Sequence, residues 1–522
     1  MMETIGSVVW GVVFRTVQAF LQGAPFIFTG LCVAGMLSRL MGHAGTCRLF
    51  GSNSVVSLAQ SWLIGMLLPG CSLGTIAICR QLRASGIAVG TIFAFALSSP
   101  LFDPLSLLYG LTLSKPFTIM AFAACSLVVV MVSGGVFDRL FPDTEVTVPE
   151  PPAPPQGIRR MLAIVVEMAR ETVSGTAGLV GIGILGVGLL AAILPAGSLQ
   201  LTMAHDNAAS PLLMTAIATP AYATPMIVMA QLGSMFQHGN SIGAAFILLA
   251  LGAGMNLGLM AWMFFNYGWR KTAVWFAIIL VAVLVISYGI ERPLYPKEID
   301  PIGHTHAFDR YCAPFHAGQT FAGGFPAEIA RRLKQETQPH EWFGAGALAV
   351  LAVIGGLLRA LDPGRRVEAW LARPHAGGKA AGRWDVVIPG PVLALIGLGA
   401  IVAGSVVGCY AYYPPPAEVL PELSNANIEV SHAAISGGPE HAQQWIPVCE
   451  NWTRRLLVGS YLRHGTVSEY HLAKARLYET RLEELEHAIE DGEDSESLRR
   501  RALDVSRAHG FLGRAFREEP LE

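Results

Sequence analysis

Apolar runs long enough to cross a bilayer as helix, about 20 residues each, recur along this chain and are separated by short polar turns. Ten such runs are legible. The first covers about 17–41 and carries Pro25, and the second, about 55–79, is interrupted at Pro69-Gly70. The third, about 87–111, is interrupted at Pro100 and Pro104, and the fourth is about 116–137. A connector over 142–158 follows, with five prolines between Pro149 and Pro155, a composition that favours an extended linker. A short helix from Arg159 to Thr172 then precedes runs at about 174–195, 211–236, 241–265 and 270–289, the second of these interrupted at Pro220 and Pro225.

Beyond 291 the pattern turns polar as far as 341, and two more apolar runs follow at about 343–361 and 386–412. In the last segment, 414–522, Ala475, Tyr478, Leu482, Leu485 and Ile489 fall at alternating spacings of 3 and 4, which predicts a helix with one apolar stripe. A hairpin packed on its neighbour accounts for that stripe; a coiled-coil seam needs sustained heptads.

The pattern therefore predicts an all-α polytopic membrane protein: two four-helix repeats with broken helices (1–141 and 159–290), two extra C-terminal spans (342–413) and a helical soluble tail. Four spans per repeat, an even number, predict parallel repeats; a re-entrant segment counted as a span would make them inverted. The loop after the ninth span holds Arg359, Arg365, Arg366, Arg373, Lys379 and Arg383, and the positive-inside rule makes it cytoplasmic. Parity then puts the N-terminus, the proline connector, the 291–341 segment and the tail outside. It also puts Arg80, Arg83, Arg139, Arg159 and Arg160 outside, against the same rule.

Composition agrees with the pattern. Of the 522 residues, 52% are hydrophobic and only 14% charged, where soluble domains carry roughly 25% charged residues. The net charge of −2 gives no argument for a nucleic-acid partner or an acidic substrate. Eight scattered cysteines form no CxxC pair and no disulfide framework. The start of the chain lacks a basic n-region, so the expectation is a retained signal anchor rather than a cleaved signal peptide.

The interrupted runs carry the candidate chemistry. Setting Gly90 against Gly243 pairs Asp103 with Asn256, and the break at Pro69-Gly70-Cys71-Ser72 has its counterpart at Pro220 to Pro225. Lipid cannot satisfy backbone freed by a break, so such breaks face protein or a wet cavity. Paired breaks at matching places point to a transport site. Cys71, Ser72, Thr75, Tyr222 and Thr224 sit on the breaks as substrate-lining candidates. Asp103 is the only acidic residue from Leu58 to Phe137, an intramembrane carboxylate suited to proton or cation coupling. Its alternative role is to cap a half-helix. Pro69, Pro100, Pro104, Pro220 and Pro225 would hold the breaks open.

The run Gly181-Ile182-Gly183-Ile184-Leu185-Gly186 has GxGxxG spacing but no preceding strand, which excludes a dinucleotide site. Small residues at Gly175, Gly178, Gly181 and Gly188 suit close helix packing in lipid instead. The polar segment contains His304, His306, Asp309, Cys312 and His316, a donor set suited to zinc or copper, though its spacing matches no standard metal motif.

The region from about 20 to 290 resembles the predicted permease family that includes bacterial organoarsenical efflux permeases (the ArsP/YraQ type). The resemblance rests on Pro69-Gly70-Cys71-Ser72-Leu73-Gly74-Thr75-Ile76, on Ser99-Pro100-Leu101-Phe102-Asp103-Pro104, and on the echo from Gly252 to Asn256. It implies a duplicated multi-span fold and export of a metal or metalloid species across a bacterial inner membrane. Where the family often has cysteine and serine at the second break, this chain has Ala221-Tyr222-Ala223-Thr224, and Asp103 stands where asparagine is common.

The expectation is thus a non-enzymatic permease, an exporter working by alternating access, whose partners are the lipid bilayer and a small solute or ion, not nucleic acid. A homo-oligomer or a protein partner engaging the tail is a further expectation. The alternatives are a membrane-bound metalloenzyme using the 304–316 cluster and a sensor or scaffold acting through its tail.

Overall fold

In a computed structural model, residues 2–51, 54–113, 116–142, 158–296, 305–316, 319, 321, 323–373 and 388–517 are described. The chain is all-α among these residues and divides into two units, one of 1–107 and 117–404, the other of 108–116 and 405–522. The proline connector lies outside the described residues.

The first unit opens with α1 (Met2–Met36), which runs through a π-helical turn (Leu37–Met41) into α2 (Gly42–Phe50). The apolar run expected at about 17–41 is therefore the middle of a longer helix. Pro25 does not end it, and neighbouring backbone packs against that turn: a methyl on Gly344 would meet Pro25. Then come α3 (Val55–Leu67), α4 (Thr75–Ala84), α5 (Val89–Ser98), α6 (Pro104–Leu113) and α7 (Pro116–Leu140). After the connector the order is α8 (Ile158–Thr172), α9 (Gly175–Ile193), α10 (Ser210–Ala218), α11 (Pro225–Gln237), α12 (Ile242–Ile247) with a π-helical extension (Leu248–Ala253), α13 (Leu257–Tyr267) and α14 (Trp269–Leu294).

Among the described residues, six helical stretches are long and apolar enough to cross a membrane: Gly6–Phe50, Pro116–Leu140, Gly175–Ile193, Trp269–Leu294, Pro339–Leu361 and Gly390–Tyr412. The pair Ile242–Ala253 and Leu257–Tyr267, bent by 57°, makes a seventh.

Side-chain contacts give the direction of each element. Ser57 on α3 meets Thr91 on α5 at 3.1 Å, and Cys47 Sγ on α2 reaches Ser85 O just past α4 at 3.3 Å. The segment α3–α4 thus enters from one end, breaks between Leu67 and Thr75, and returns to the same end. It is a re-entrant hairpin and not a span. Helix α7 also finishes there, because Asp138 Oδ1 accepts the Gly90 N–H at 2.7 Å. With 25 residues α7 is roughly 37 Å long, so α5 and α6 must carry the chain to its opposite end.

The second set reverses this. Arg80 and Thr176 join the start of α9 to the same end as α4, and Leu194 O accepts Ala313 N–H at the far end. Ser241 N–H donates to Met203 O at 2.9 Å, so α10–α11 enters from the far end and returns to it. Each set therefore has three passages (α1, α5–α6, α7; then α9, α12–α13, α14) and one hairpin. An odd number of passages makes the second set run in the opposite direction to the first, the alternative that a re-entrant segment counted as a span leaves open.

The same count removes the charge conflict. Arg39 pairs with Glu167 at 2.5 Å, Arg80 with Glu171 at 2.6 Å, and Arg170 with Asp362 at 3.0 Å. Arg159 lies 4.8 Å over the Trp370 ring, and Arg83 bonds Asn266 Oδ1 at 2.6 Å. All these residues gather at one end, with Arg359 donating to Val173 O. Counting the folded-back hairpin as a crossing separates these arginines from Arg359, whereas the contacts bring them to one end. We call this the basic end.

The far end carries α15 (Gly324–Glu336) and the segment 305–316. From there α16 (Pro339–Leu361) returns to the basic end, where α17 (Arg366–Leu371) lies, and α18 (Gly390–Tyr412) leaves it again.

The second unit is built on α19 (Pro416–Ser436), α20 (Pro439–His464), α21 (Glu469–Glu490) and α22 (Ser495–Ala515). Ala475, Tyr478, Leu482 and Leu485, the stripe read from the sequence, are buried with residues of the other three helices, and Ile489 packs at the edge. The stripe is thus a bundle face. Tyr109 and Arg454 interact within this unit.

Candidate functional site: four breaks at one centre

Each set breaks twice, at 68–74 and 99–103 in the first and at 219–224 and 254–256 in the second. The breaks adjoin one another. A methyl on Gly70 would collide with Ser99 Oγ, and Ala223 N–H donates to Gly252 O at 3.3 Å. Across the sets, the Tyr222 hydroxyl lies beside the Cys71 thiol, and a methyl on Gly254 would sit 3.3 Å from Leu101. A methyl on Gly183 of α9 would strike both Leu73 and Asn256, and one on Gly186 would strike Pro220 O. Gly30 of α1 meets Gly74 in the same backbone-close manner. Helices α1 and α9 thus brace the breaks with glycine faces.

The α9 glycines that pack are Gly183, Gly186 and Gly188; Gly175, Gly178 and Gly181 have open space beside them. The expected packing face was therefore rotated, with Gly188 alone kept. Both faces present glycines at spacing 3, and only the neighbours decide between them.

The N-termini of four half-helices, α4, α6, α11 and α13, start at this centre. Asp103 Oδ1 accepts Ser106 N–H at 2.6 Å, and Asn256 Oδ1 accepts Leu259 N–H at 2.9 Å. The paired residues thus do the same work, capping α6 and α13. Neither α4 nor α11 receives a side-chain cap. Thr75 spends its hydroxyl on Ser72 O at 3.0 Å, and Thr224 holds the N-cap position of α11. Pro104 and Pro225 begin α6 and α11, where a missing N–H costs nothing, while Pro69, Pro100 and Pro220 lie in the breaks themselves.

Cys71 Sγ accepts Gly74 N–H at 3.4 Å. Among the described residues of the breaks, four other buried polar atoms make no hydrogen bond, Ser72 Oγ, Ser99 Oγ, Asn256 Nδ2 and Tyr222 OH, the last with only the Cys71 thiol beside it. One comes from each break. The side chains are 0%, 0%, 4% and 0% exposed, so bulk water does not serve them. Leaving such groups unpaired is costly, roughly 1–3 kcal/mol each. Ser99 was not among the sequence candidates; its place beside Pro100 was the available signal.

Two further carboxylates were missed. Asp138 accepts Gly90 N–H, and Glu291 Oε2 accepts Gly243 N–H at 2.6 Å and the Ser241 hydroxyl at 2.7 Å. Each lies 48 residues after the glycine it serves. They clamp the outer ends of α5 and α12, one at each end of the unit. Gly86 and Gly239, with φ of 79° and 67°, make the left-handed turns that precede these helices.

Of the polar-segment candidates, His304 lies outside the described residues. His306 Nδ1 and Asp309 Oδ2 pair at 2.9 Å, and Gln200 reaches both. Cys312 is buried against Ser198 and Phe308 O, and the His316 N–H is bonded to Gln319. Among the described residues, Cys312 and His316 do not join His306 and Asp309 in one ligand group. The segment is instead folded into the far mouth. Gln231 of α11 donates to Ala307 O at 2.8 Å and accepts from Tyr311 OH at 3.0 Å, while Ser234 meets Thr305 at 3.3 Å.

The sequence profile of a family described as "predicted permease" matches residues 12–291, the span that builds both sets of helices. The chain belongs to this predicted permease family. This permease is also similar to the UPF0718 protein YcgR of Bacillus subtilis (strain 168), with 22% identity over 138 residues. That match takes in 26% of this chain and 47% of the relative, so the permease spans about half the length of the curated relative it matches. With its long apolar helices, it is a multi-pass membrane protein.

Proposed function

We propose that this permease exports a small solute, such as a metal or metalloid species, by alternating access around the four breaks. The observation that carries the reading is the set of unpartnered groups Ser72, Ser99, Tyr222 and Asn256, one from each break. Buried polar groups are ordinarily satisfied, so four orphans on four adjoining breaks favour a ligand between them. The inverted order of the helices supports two related repeats that rock about this centre. The arginines at the basic end favour a cytoplasmic location for it, and a bacterial inner membrane follows from the family resemblance. Asp103, buried beside Cys71, is the candidate coupling group.

The test is uptake and efflux of metals, arsenicals and small organic solutes in vesicles, with and without a proton gradient. Export of at least one class, lost on Ser99→Ala with Tyr222→Phe, supports the reading. Absence of transport of every class by folded protein would sink it.

A further inference from the structure

Resting on the central site just proposed, and narrowing its solutes to the uncharged ones, the geometry points to its ligand class: a small neutral solute that presents oxygen acceptors, a metalloid hydroxide among them, and not a metal cation. The first ground is the donor balance. Asn256 Oδ1 is committed to Leu259 N–H, which fixes the amide so that its Nδ2, a donor only, is the unpartnered atom. The other three free groups are hydroxyls on Ser72, Ser99 and Tyr222, each able to donate.

The second ground is the field. The positive ends of four half-helices, α4, α6, α11 and α13, with 10, 10, 13 and 11 residues, begin at this centre. Together with an inward amide they disfavour a cation. Soft-metal binding also lacks partners, since Cys71 is the one cysteine on the breaks and its sulfur already accepts Gly74 N–H. The third ground is Asp103. Its carboxylate, 3% exposed and interacting electrostatically with Cys71, is the acid of this set. Its oxygens are acceptors, which oppose an anion that the half-helices alone would have welcomed. An uncharged oxygen-bearing solute fits both constraints.

The full-length chain in proteoliposomes tests this by stopped-flow light scattering, with inward gradients of glycerol, urea and boric acid set against sodium phosphate and zinc chloride. At least one uncharged solute should enter faster than in protein-free liposomes. Ser99→Ala and Tyr222→Phe should each slow it about tenfold, the worth of one net hydrogen bond, in protein whose helicity and elution volume are unchanged.

Entry of zinc or phosphate alone, slowed by those substitutions, would overturn the ligand class and leave the site standing. Entry of any solute at the same rate in both variants would overturn the site. No flux above the protein-free rate with any of the three uncharged probes would overturn the ligand class.

Discussion

Removing the Glu291 side chain should loosen the outer turn of α12 and leave the matching turn of α5 untouched. Glu291 accepts three bonds there, from Gly243 N–H at 2.6 Å, the Ser241 hydroxyl at 2.7 Å and Ile242 N–H at 3.3 Å. A hydrogen bond to a charged group contributes roughly 1.5–3 kcal/mol in net terms where it is buried. Glu291 is partly exposed, so water replaces much of this, and a net loss of about 2 kcal/mol is expected for Glu291→Ala, within the range seen when helix caps are removed.

That figure corresponds to about 30-fold faster local opening. Glu291→Gln, which keeps one acceptor oxygen, should lose about half of it. Hydrogen exchange with mass spectrometry on the full chain in detergent reads the result directly. Peptides over 241–247 should exchange faster in the variants, while those over 88–92, held by Asp138, should not change. Equal exchange at 241–247 in wild type and Glu291→Ala would refute the clamp. Faster exchange at both places would show global destabilisation instead.

Three more outcomes are expected. Gly186→Leu drives a side chain into Pro220 O and should abolish a monodisperse elution peak, whereas Gly178→Leu, facing open space, should elute as wild type. Asp103→Asn should keep the fold, because asparagine caps as well as aspartate and Asn256 already does so, but it should abolish any dependence of efflux on a proton gradient; retained dependence would remove Asp103 from coupling. In the tail unit, burial and then Arg517 push the His509 imidazole below its ordinary 6.5. Its neutral form is favoured in the fold, so the stability it contributes is present above pH 6.5 and lost as pH falls below it. Protection of α22, corrected for the intrinsic exchange rate at each pH, should therefore fall from pH 7 to 5, less so in His509→Gln.

Much of this architecture is readable from the chain because proline and glycine punctuate it. The breaks, the Gly90/Gly243 register and the Asp103/Asn256 pair all follow from local residues. The re-entrant hairpins do not. Two apolar segments flanking Pro69-Gly70 look the same whether the second continues across the bilayer or folds back, and only the contact of Ser57 with Thr91 decides it. That single ambiguity carried through to both the symmetry and the sidedness. Asp138 and Glu291 stayed hidden because each acts 48 residues away, where no local pattern announces a partner. The polar segment read as a ligand cluster because histidine, aspartate and cysteine crowd together in sequence. Folding commits Gln200 to His306 and Asp309, and Ser198 to Cys312.

The two mouths are fastened by different forces. At the basic end the hairpin is held through Arg80 to Glu171 and Arg83 to Asn266, and at the far end through the neutral contacts of Gln231, Tyr311, Ser234 and Thr305. Dissolved salt screens charges and leaves neutral hydrogen bonds nearly unaffected. Ionic strength on the arginine side therefore becomes a one-sided lever: it loosens the pairing of Arg80 with Glu171 and leaves the contacts of Gln231 and Ser234 as they are.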